Sequence, residues 1–333
     1  MKALFEKKTH YIDEHIKSDI DNTFKKQFCI DPREYDVCSD EIYDPIGDDN
    51  YMKVRGLIHR YPDRVLLIPR NDCAVQCRFC FRKWRLPENE SELSIKQIDD
   101  ALDYVAEDDN IWEVILTGGE PLLTNIDKLN HIIDRIKKID HVKVLRVHSR
   151  LPIVDPSSIN EGILELFTSI TPVYLVLHCN HPAELTDEVC SVIKKIADSG
   201  VVLLSQSALL REINDDSKIL ELLFRKLIEN RVKPYYLHHC DLVPGTRFYR
   251  TSIKDGQKLL KGIRGKVSGI CWPTYVLDIP EGYGKVPLGP NYYEKDSDGN
   301  TIVTDYKGQQ HEYPDIDNSS SRYPHTMAHS NED

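Results

Sequence analysis

Six short apolar runs, each followed by a stretch with helical spacing, constrain the fold of this chain more than any other feature. The runs cover residues 65–69, 113–117, 142–148, 173–178, 201–206 and 233–238. Continuous apolar runs of this length suit strands of a parallel sheet covered on both faces. After the first run, Ser94-Ile-Lys-Gln97 forms a capping-box pattern, in which the serine and glutamine satisfy each other's backbone donors. Ile95, Ile98, Leu102 and Val105 then recur on one helical face, and Leu129, Ile132, Ile133 and Ile136 mark the next helix. Further helices are predicted over 159–166, 184–197, 217–227 and 257–263. Strand–helix alternation implies parallel strands joined by right-handed crossovers. Six such units fit an α/β fold of either of two kinds, a partial (β/α)6 barrel or an open doubly wound sheet.

Around this unit, taken as 51–263, lie three other segments. Residues 1–50 are polar and helix-prone, and are expected to pack on the outside. Residues 264–317 form an extension rich in Gly, Pro and Tyr, and 318–333 read as a disordered tail. The net charge of −11 argues against nucleic-acid or anionic-membrane partners, which bind basic surfaces. No apolar run approaches the length of a membrane span, and the N-terminus lacks the apolar core of a signal peptide. Nine cysteines, an odd number, suit a reducing compartment, with the cytoplasm as the default.

The chemistry-bearing motifs fall at the carboxyl ends of the predicted strands, where parallel barrels carry their sites. The first is Asn71-Asp-Cys-Ala-Val-Gln-Cys-Arg-Phe-Cys-Phe-Arg82, with Cys73, Cys77 and Cys80 spaced C-x3-C-x2-C. Three thiolates can hold three irons of a cubane cluster and leave the fourth open for chemistry. A zinc knot would favour paired C-x2-C units, and no second pair follows. Gly118-Gly119-Glu120, His148-Ser149-Arg150, His178-Cys-Asn-His-Pro182, Ser205-Gln206-Ser207 and Cys240-Asp241 end the other strands.

The cysteine spacing resembles that of radical S-adenosylmethionine (SAM) enzymes, whose partial barrel the resemblance favours here. The collinear series His59-Arg-Tyr-Pro-Asp-Arg64, Arg146-Val-His-Ser-Arg-Leu-Pro-Ile-Val154, Asn180-His-Pro182, Gln206-Ser-Ala-Leu-Leu-Arg211, Lys233-Pro-Tyr-Tyr236, Cys240-Asp-Leu242 and Gly284-Lys-Val-Pro287 narrows it to the lysine 2,3-aminomutases. That resemblance implies a [4Fe–4S] cluster on Cys73, Cys77 and Cys80, SAM, and pyridoxal 5′-phosphate (PLP). It implies PLP on Lys285, with its phosphate held by Arg60, Tyr61 and Arg64. It places SAM against Gly118, Gly119, Glu120, His178 and Gln206. It gives the substrate carboxylate to Arg82, and the substrate ε-ammonium to Asp241 and Asp278. The implied reaction is L-lysine to L-β-lysine, fed by an electron donor such as a flavodoxin or ferredoxin.

Alternatives are arginine as substrate, synthesis of β-lysine for modifying elongation factor P, a PLP-free radical enzyme, and an iron–sulfur electron carrier. Arg247 adds a cation near Asp241, and would weaken the preference for lysine if it turned inward. The cysteine cluster that binds zinc between subunits in longer family members has no counterpart here, because no cysteine follows Cys271. A homo-oligomer remains an expectation without that site.

Overall fold

Ten strands lie side by side in the order in which the chain makes them. The computed structural model describes residues 5–86, 92–170 and 172–315. The strands are β1 (Met52–Val54), β2 (Leu57–Tyr61), β3 (Arg64–Arg70), β4 (Glu113–Gly118), β5 (Val144–Ser149), β6 (Val173–His178), β7 (Val202–Leu209), β8 (Lys233–His239), β9 (Thr274–Ile279) and β10 (Gly284–Pro287). From β3 to β9 every neighbouring pair is parallel. β1, β2 and β10 add antiparallel pairs at the two ends. A doubly wound sheet would need a point where strand order reverses. The unbroken sequential order therefore selects the partial barrel, with β1 and β10 at its open edges.

All six predicted strands form, each within a few residues of its predicted ends. The seventh parallel strand, β9, carries only a short apolar core, Tyr275-Val-Leu277, between two prolines, and that pattern did not mark it as a strand.

The helices are α1 (His10–Lys17), α2 (Thr23–Phe28), α3 (Ile95–Ala106), α4 (Ile126–Ile136), α5 (Leu151–Val154), α6 (Glu161–Thr168), α7 (Asp187–Asp198), α8 (Ser217–Glu229) and α9 (Ile253–Ile263). The Ser94–Gln97 capping box starts α3, and side chains of Asn125, Asn160, Thr186, Asp216 and Ser252 cap α4, α6, α7, α8 and α9. Ile98, Leu102 and Val105 of α3 and Leu129, Ile132, Ile133 and Ile136 of α4 are buried as predicted. Ile95 is exposed, because it sits in the first turn and off the buried stripe. Glu184, expected to begin α7, instead ends a separate 3-10 turn over Pro182–Glu184, and the Thr186 cap sets the true start.

The N-terminal segment does not lie outside the barrel, as its polarity suggested. It packs on the cysteine loop at the carboxyl ends of the strands. The Lys7 and Gln27 carbonyls accept from the Gln76 and Arg78 amides at 2.8 Å each. Glu34, fully buried, accepts from Arg78 Nε and Nη2 (2.9 and 2.6 Å) and from Lys83 Nζ (2.9 Å). Glu34 thus meets cations of the loop rather than water. A buried charge of this kind persists only when paired.

The compact unit runs through Gly289, so β9 and β10, expected in an extension beginning at 264, belong to the main sheet. A second unit begins at Pro290 and holds a three-stranded antiparallel sheet of β11 (Tyr293–Lys295), β12 (Thr301–Thr304) and β13 (Gln310–Tyr313). The tail expected from 318 lies outside the described residues. Among the described residues no helix is long and apolar enough to cross a membrane.

Candidate active site

A cavity of about 580 Å³ opens at the carboxyl ends of the parallel strands, and all fifteen site residues expected from the sequence line it. The barrel gathers them from β2, the start of β3 and the loop after it, and the ends of β4, β6, β7, β8 and β9, with Lys285 arriving on β10.

Cys73, Cys77 and Cys80 carry free thiols. Burial pushes each above the ordinary thiol range, Cys80 to about 11, and neighbouring sulfurs add to the rise at Cys73 and Cys80. At Cys77, Arg150 partly offsets the burial, its Nη1 donating to Sγ at 2.9 Å. A dry site of this kind holds thiolates when a metal supplies the compensating charge. Among the described residues no three His, Cys, Asp or Glu side chains converge on a single metal ion. A cubane asks for a different arrangement, with one thiolate on each of three irons.

The Gly118–Gly119 turn is glycine for a reason internal to the protein. Gly118 has φ +117°, and a Cβ there would meet Ile68 Cγ2 at 2.2 Å; one at Gly119 would meet the backbone of Asn71 and Asp72 at 2.3–2.5 Å. Both glycines let the end of β4 close on the entry to the cysteine loop. The Gly119 and Glu120 amides donate to Arg70 and Asp72 carbonyls at 3.0 and 2.9 Å, which locks the two loops together.

Glu120 is buried. Its carboxylate accepts from Ser149 Oγ (2.7 Å) and from the amides of Leu122, Arg150 and Leu151 (3.2, 2.9 and 3.1 Å). Burial pushes it up to about 7 against those bonds.

Asp48, which carried no expectation, sits buried between two arginines. It accepts from Arg82 Nε and Nη2 at 3.0 and 2.7 Å and from Arg60 Nη2 at 3.2 Å. Arg82 keeps Nη1, whose nearest acceptor is the Gly118 carbonyl at 3.4 Å. Arg64 stacks on the Tyr61 ring, 3.9 Å from its centroid, and the Tyr61 hydroxyl accepts from the Lys285 amide at 3.0 Å.

At another part of the wall, Lys285 Nζ donates to both Asp278 oxygens, at 2.7 and 2.9 Å. The β9–β10 pairing sets Lys285 opposite Asp278. Burial would raise Asp278, but bonding to His238 (3.6 Å) and the Lys285 charge outweigh it and hold it well below the usual range. Asp241 differs. Its carboxylate has no hydrogen-bond partner among the described residues, and burial, with Asp278 nearby, pushes it up to about 7. Arg247 does not turn toward it. Its guanidinium donates to Cys38 Sγ on an exposed surface and does not line the cavity.

His178 and Gln206 pair in register on β6 and β7. Burial drives His178 down to about 3, so its ring is neutral. Six lining residues have a buried polar atom without a protein partner: Nε of Arg60, Arg146 and Arg150, and Nε2 of His148, His178 and His238. Groups of this kind are rarely left unmet in native interiors, and their gathering here fits polar cofactors and substrate. Asp48, Arg150 and His238 are the functional candidates that sequence reasoning left without a role. Arg150 lay within a noted strand-end motif, whereas only folding reveals Asp48 and His238 as partners of Arg82 and Asp278.

Two family models match the chain: one described as Lysine-2,3-aminomutase over residues 260–332, and one described as Radical SAM superfamily over 67–223. The L-lysine 2,3-aminomutase of Clostridium subterminale is 36% identical over 90% of this chain and 72% of its own length. That of Acetoanaerobium sticklandii is 38% identical over 80% and 64%. The glutamate 2,3-aminomutase of Clostridioides difficile is 36% identical over 76% and 60%. The chain therefore spans between three fifths and three quarters of the length of these relatives. Among solved structures, Streptococcus suis SuiB bound to S-adenosylmethionine superposes with a TM-score of 0.50 at 15% identity, covering 66% of this chain and 51% of that one. At that identity the likeness concerns the fold alone.

Proposed function

This chain belongs to the lysine 2,3-aminomutase family of radical SAM enzymes, and on that premise we propose that it is an isomerase converting L-lysine to L-β-lysine with a [4Fe–4S] cluster, SAM and PLP. The observation that carries the reading is the gathering of three thiols, one lysine and two carboxylates in a single cavity.

Cys73, Cys77 and Cys80 would hold the cluster, with one iron left for SAM. Gly118, Gly119, His178 and Gln206 would line the SAM site. Glu120 would line it too, its carboxylate tied to Ser149 and to the amides of Leu122, Arg150 and Leu151. Lys285 would carry PLP, and Arg60, Tyr61 and Arg64 its phosphate, for which paired guanidinium forks are suited. When bound, the cluster and SAM supply a hydrogen-abstracting radical, and PLP supplies the electronic path for nitrogen to move from Cα to Cβ.

The protein's own contribution is position and charge. Arg82, braced by Asp48, presents Nη1 to the substrate carboxylate. Asp278 holds the Lys285 ammonium. With PLP carried on Lys285 in place of that ammonium, Asp278 would be available to the substrate's distal cation beside Asp241. A low-potential donor of the flavodoxin or ferredoxin kind would supply the electron.

The glutamate chemistry of the C. difficile relative would set a second carboxylate against the unpartnered Asp241. Like charges in a partly dry pocket are costly, so the two aspartates favour a cationic substrate. The test is anaerobic reconstitution followed by product analysis with lysine, arginine, ornithine and glutamate under one set of reducing conditions. Lysine should turn over fastest. Faster turnover of glutamate than of any cation would refute the charge argument, and faster arginine would change only the substrate's name.

A further inference from the structure

Arg150 is held more firmly than a brace between two strands requires. It follows β5, and its side chain is buried. Its guanidinium lies between two aromatic rings, 4.8 Å from the Phe28 centroid and 5.2 Å from that of Phe79. Nη2 donates to Gln27 Oε1 and to Glu184 Oε2, both at 2.7 Å. Glu184 is itself fixed by the Asn180 and His181 amides at 2.9 and 2.8 Å, and Gln27 by its own bond to Glu184 at 3.2 Å. Two bonds anchor Nη2, and the planar fork then sets the direction of Nη1. That direction ends on Cys77 Sγ at 2.9 Å.

We infer that Arg150 is a positioning residue that sets the reduction potential of the cluster bound through Cys77, favouring the one-electron-reduced state. The inference rests on the reading that Cys73, Cys77 and Cys80 hold a [4Fe–4S] cluster. Reduction adds one electron from a low-potential one-electron donor to the oxidised cluster, and no bond in the protein forms or breaks. The added negative charge resides on iron and sulfur. An N–H bond to a ligand sulfur, from a group that is itself a cation, stabilises that charge, and hydrogen bonds to the sulfurs are among the protein's levers on the potential. Low local dielectric strengthens the effect. Glu184 offsets part of the charge, but it bonds the other terminal nitrogen and leaves the N–H···S contact intact.

The plain alternative is an arginine that only ties Glu184 and Gln27 to the cysteine loop. Its loss would then lower stability without moving the potential. Three proteins separate the two accounts: wild type, Arg150→Lys, which keeps the charge but not the fork, and Arg150→Met. Each is reconstituted anaerobically, its iron and sulfide are counted, and its midpoint is measured by redox titration with electron paramagnetic resonance in the absence of SAM. The midpoint should fall from wild type to Arg150→Lys to Arg150→Met. In Arg150→Met the reduction equilibrium should be at least about tenfold less favourable, or ~59 mV for one electron. An unmoved midpoint in Arg150→Met carrying a full cluster overturns the inference and leaves the cluster assignment standing. If Arg150→Met retains no cluster, the lysine variant decides, and a midpoint equal to or above wild type overturns it. Wild-type protein that takes up no cluster would refute the cysteine assignment itself, and the inference with it.

Discussion

Replacing Asp241 by Asn tests the substrate reading more cleanly than any change at Asp278. Asp278 already bonds Lys285, so altering it disturbs the lysine as well. Asp241 makes no such bond, and asparagine keeps its shape while removing its charge. Truncating one member of a buried charge pair costs about 2–5 kcal/mol. At ~1.4 kcal/mol per decade, kcat/KM for lysine should fall roughly 30-fold to several thousand-fold. Iron content and PLP absorbance should stay at wild-type levels, because the cysteines and Lys285 proposed to hold those groups are untouched.

The same carboxyl makes a signed pH prediction. Its value in the folded protein, about 7, lies above the ordinary carboxylate value of 3.8. Between those values the folded chain retains a proton that the unfolded chain has lost. The stability this contributes is complete below the unfolded value and is lost as pH rises through about 7. Asp241→Asn should therefore flatten the decline of melting temperature over that window. A substrate cation needs the ionised form, so KM for lysine should fall as pH rises through about 7 and then level off, and the variant should lose that dependence. The assay is chromatographic separation of lysine from its isomer at several pH values. Turnover within about threefold of wild type, less than 1 kcal/mol, together with an unchanged pH profile, would refute the role given to Asp241.

Three further outcomes follow from the same geometry. Changing any one of Cys73, Cys77 and Cys80 to Ala should abolish SAM cleavage, and a triple variant that still carried a cluster by iron analysis would place the ligands elsewhere. Borohydride reduction of PLP-loaded protein should fix the label on Lys285, as peptide mapping would reveal; label on another lysine would reassign the cofactor. Glu34→Gln should leave Arg78 and Lys83 buried without their shared anion, at a cost of about 3–5 kcal/mol, visible as a lower melting temperature and poorer iron retention in the same preparation.

The strand–helix alternation was legible because the strands are continuous apolar runs and the helices carry caps and regular stripes, signals that are local in sequence; the family resemblance chose the barrel. Motifs at the ends of parallel strands must share one rim, which made the meeting of the strand-end residues legible, whereas Arg60, Tyr61, Arg64, Asp278 and Lys285 came from the resemblance. What escaped the sequence is long-range. Asp48 lies 34 residues from Arg82 and 12 from Arg60, and nothing local marks an aspartate as their common partner. β9 has too short an apolar core to be read as a strand. Polarity misled at the N-terminus, because Gln27 and Glu34 are polar in order to meet buried cations and amides rather than water. Long-range too is the packing at Gly118 and Gly119, where the space a side chain would fill is occupied by Ile68, Asn71 and Asp72.

The joining of the two ends of the compact unit over the cysteine loop bears on when the protein can acquire its cofactors. The Glu281 amide donates to the Pro45 carbonyl at 3.1 Å, and a Cβ on Gly47 would collide with Glu281, so the first fifty residues and the last hairpin meet directly. During synthesis the amino-terminal part emerges long before residue 281 exists. Until then Arg60 and Arg82 have Asp48, but Asp278 and Lys285 have not been made. On the proposed reading, the thiols meant for iron stand in the chain before the lysine meant for PLP has been made.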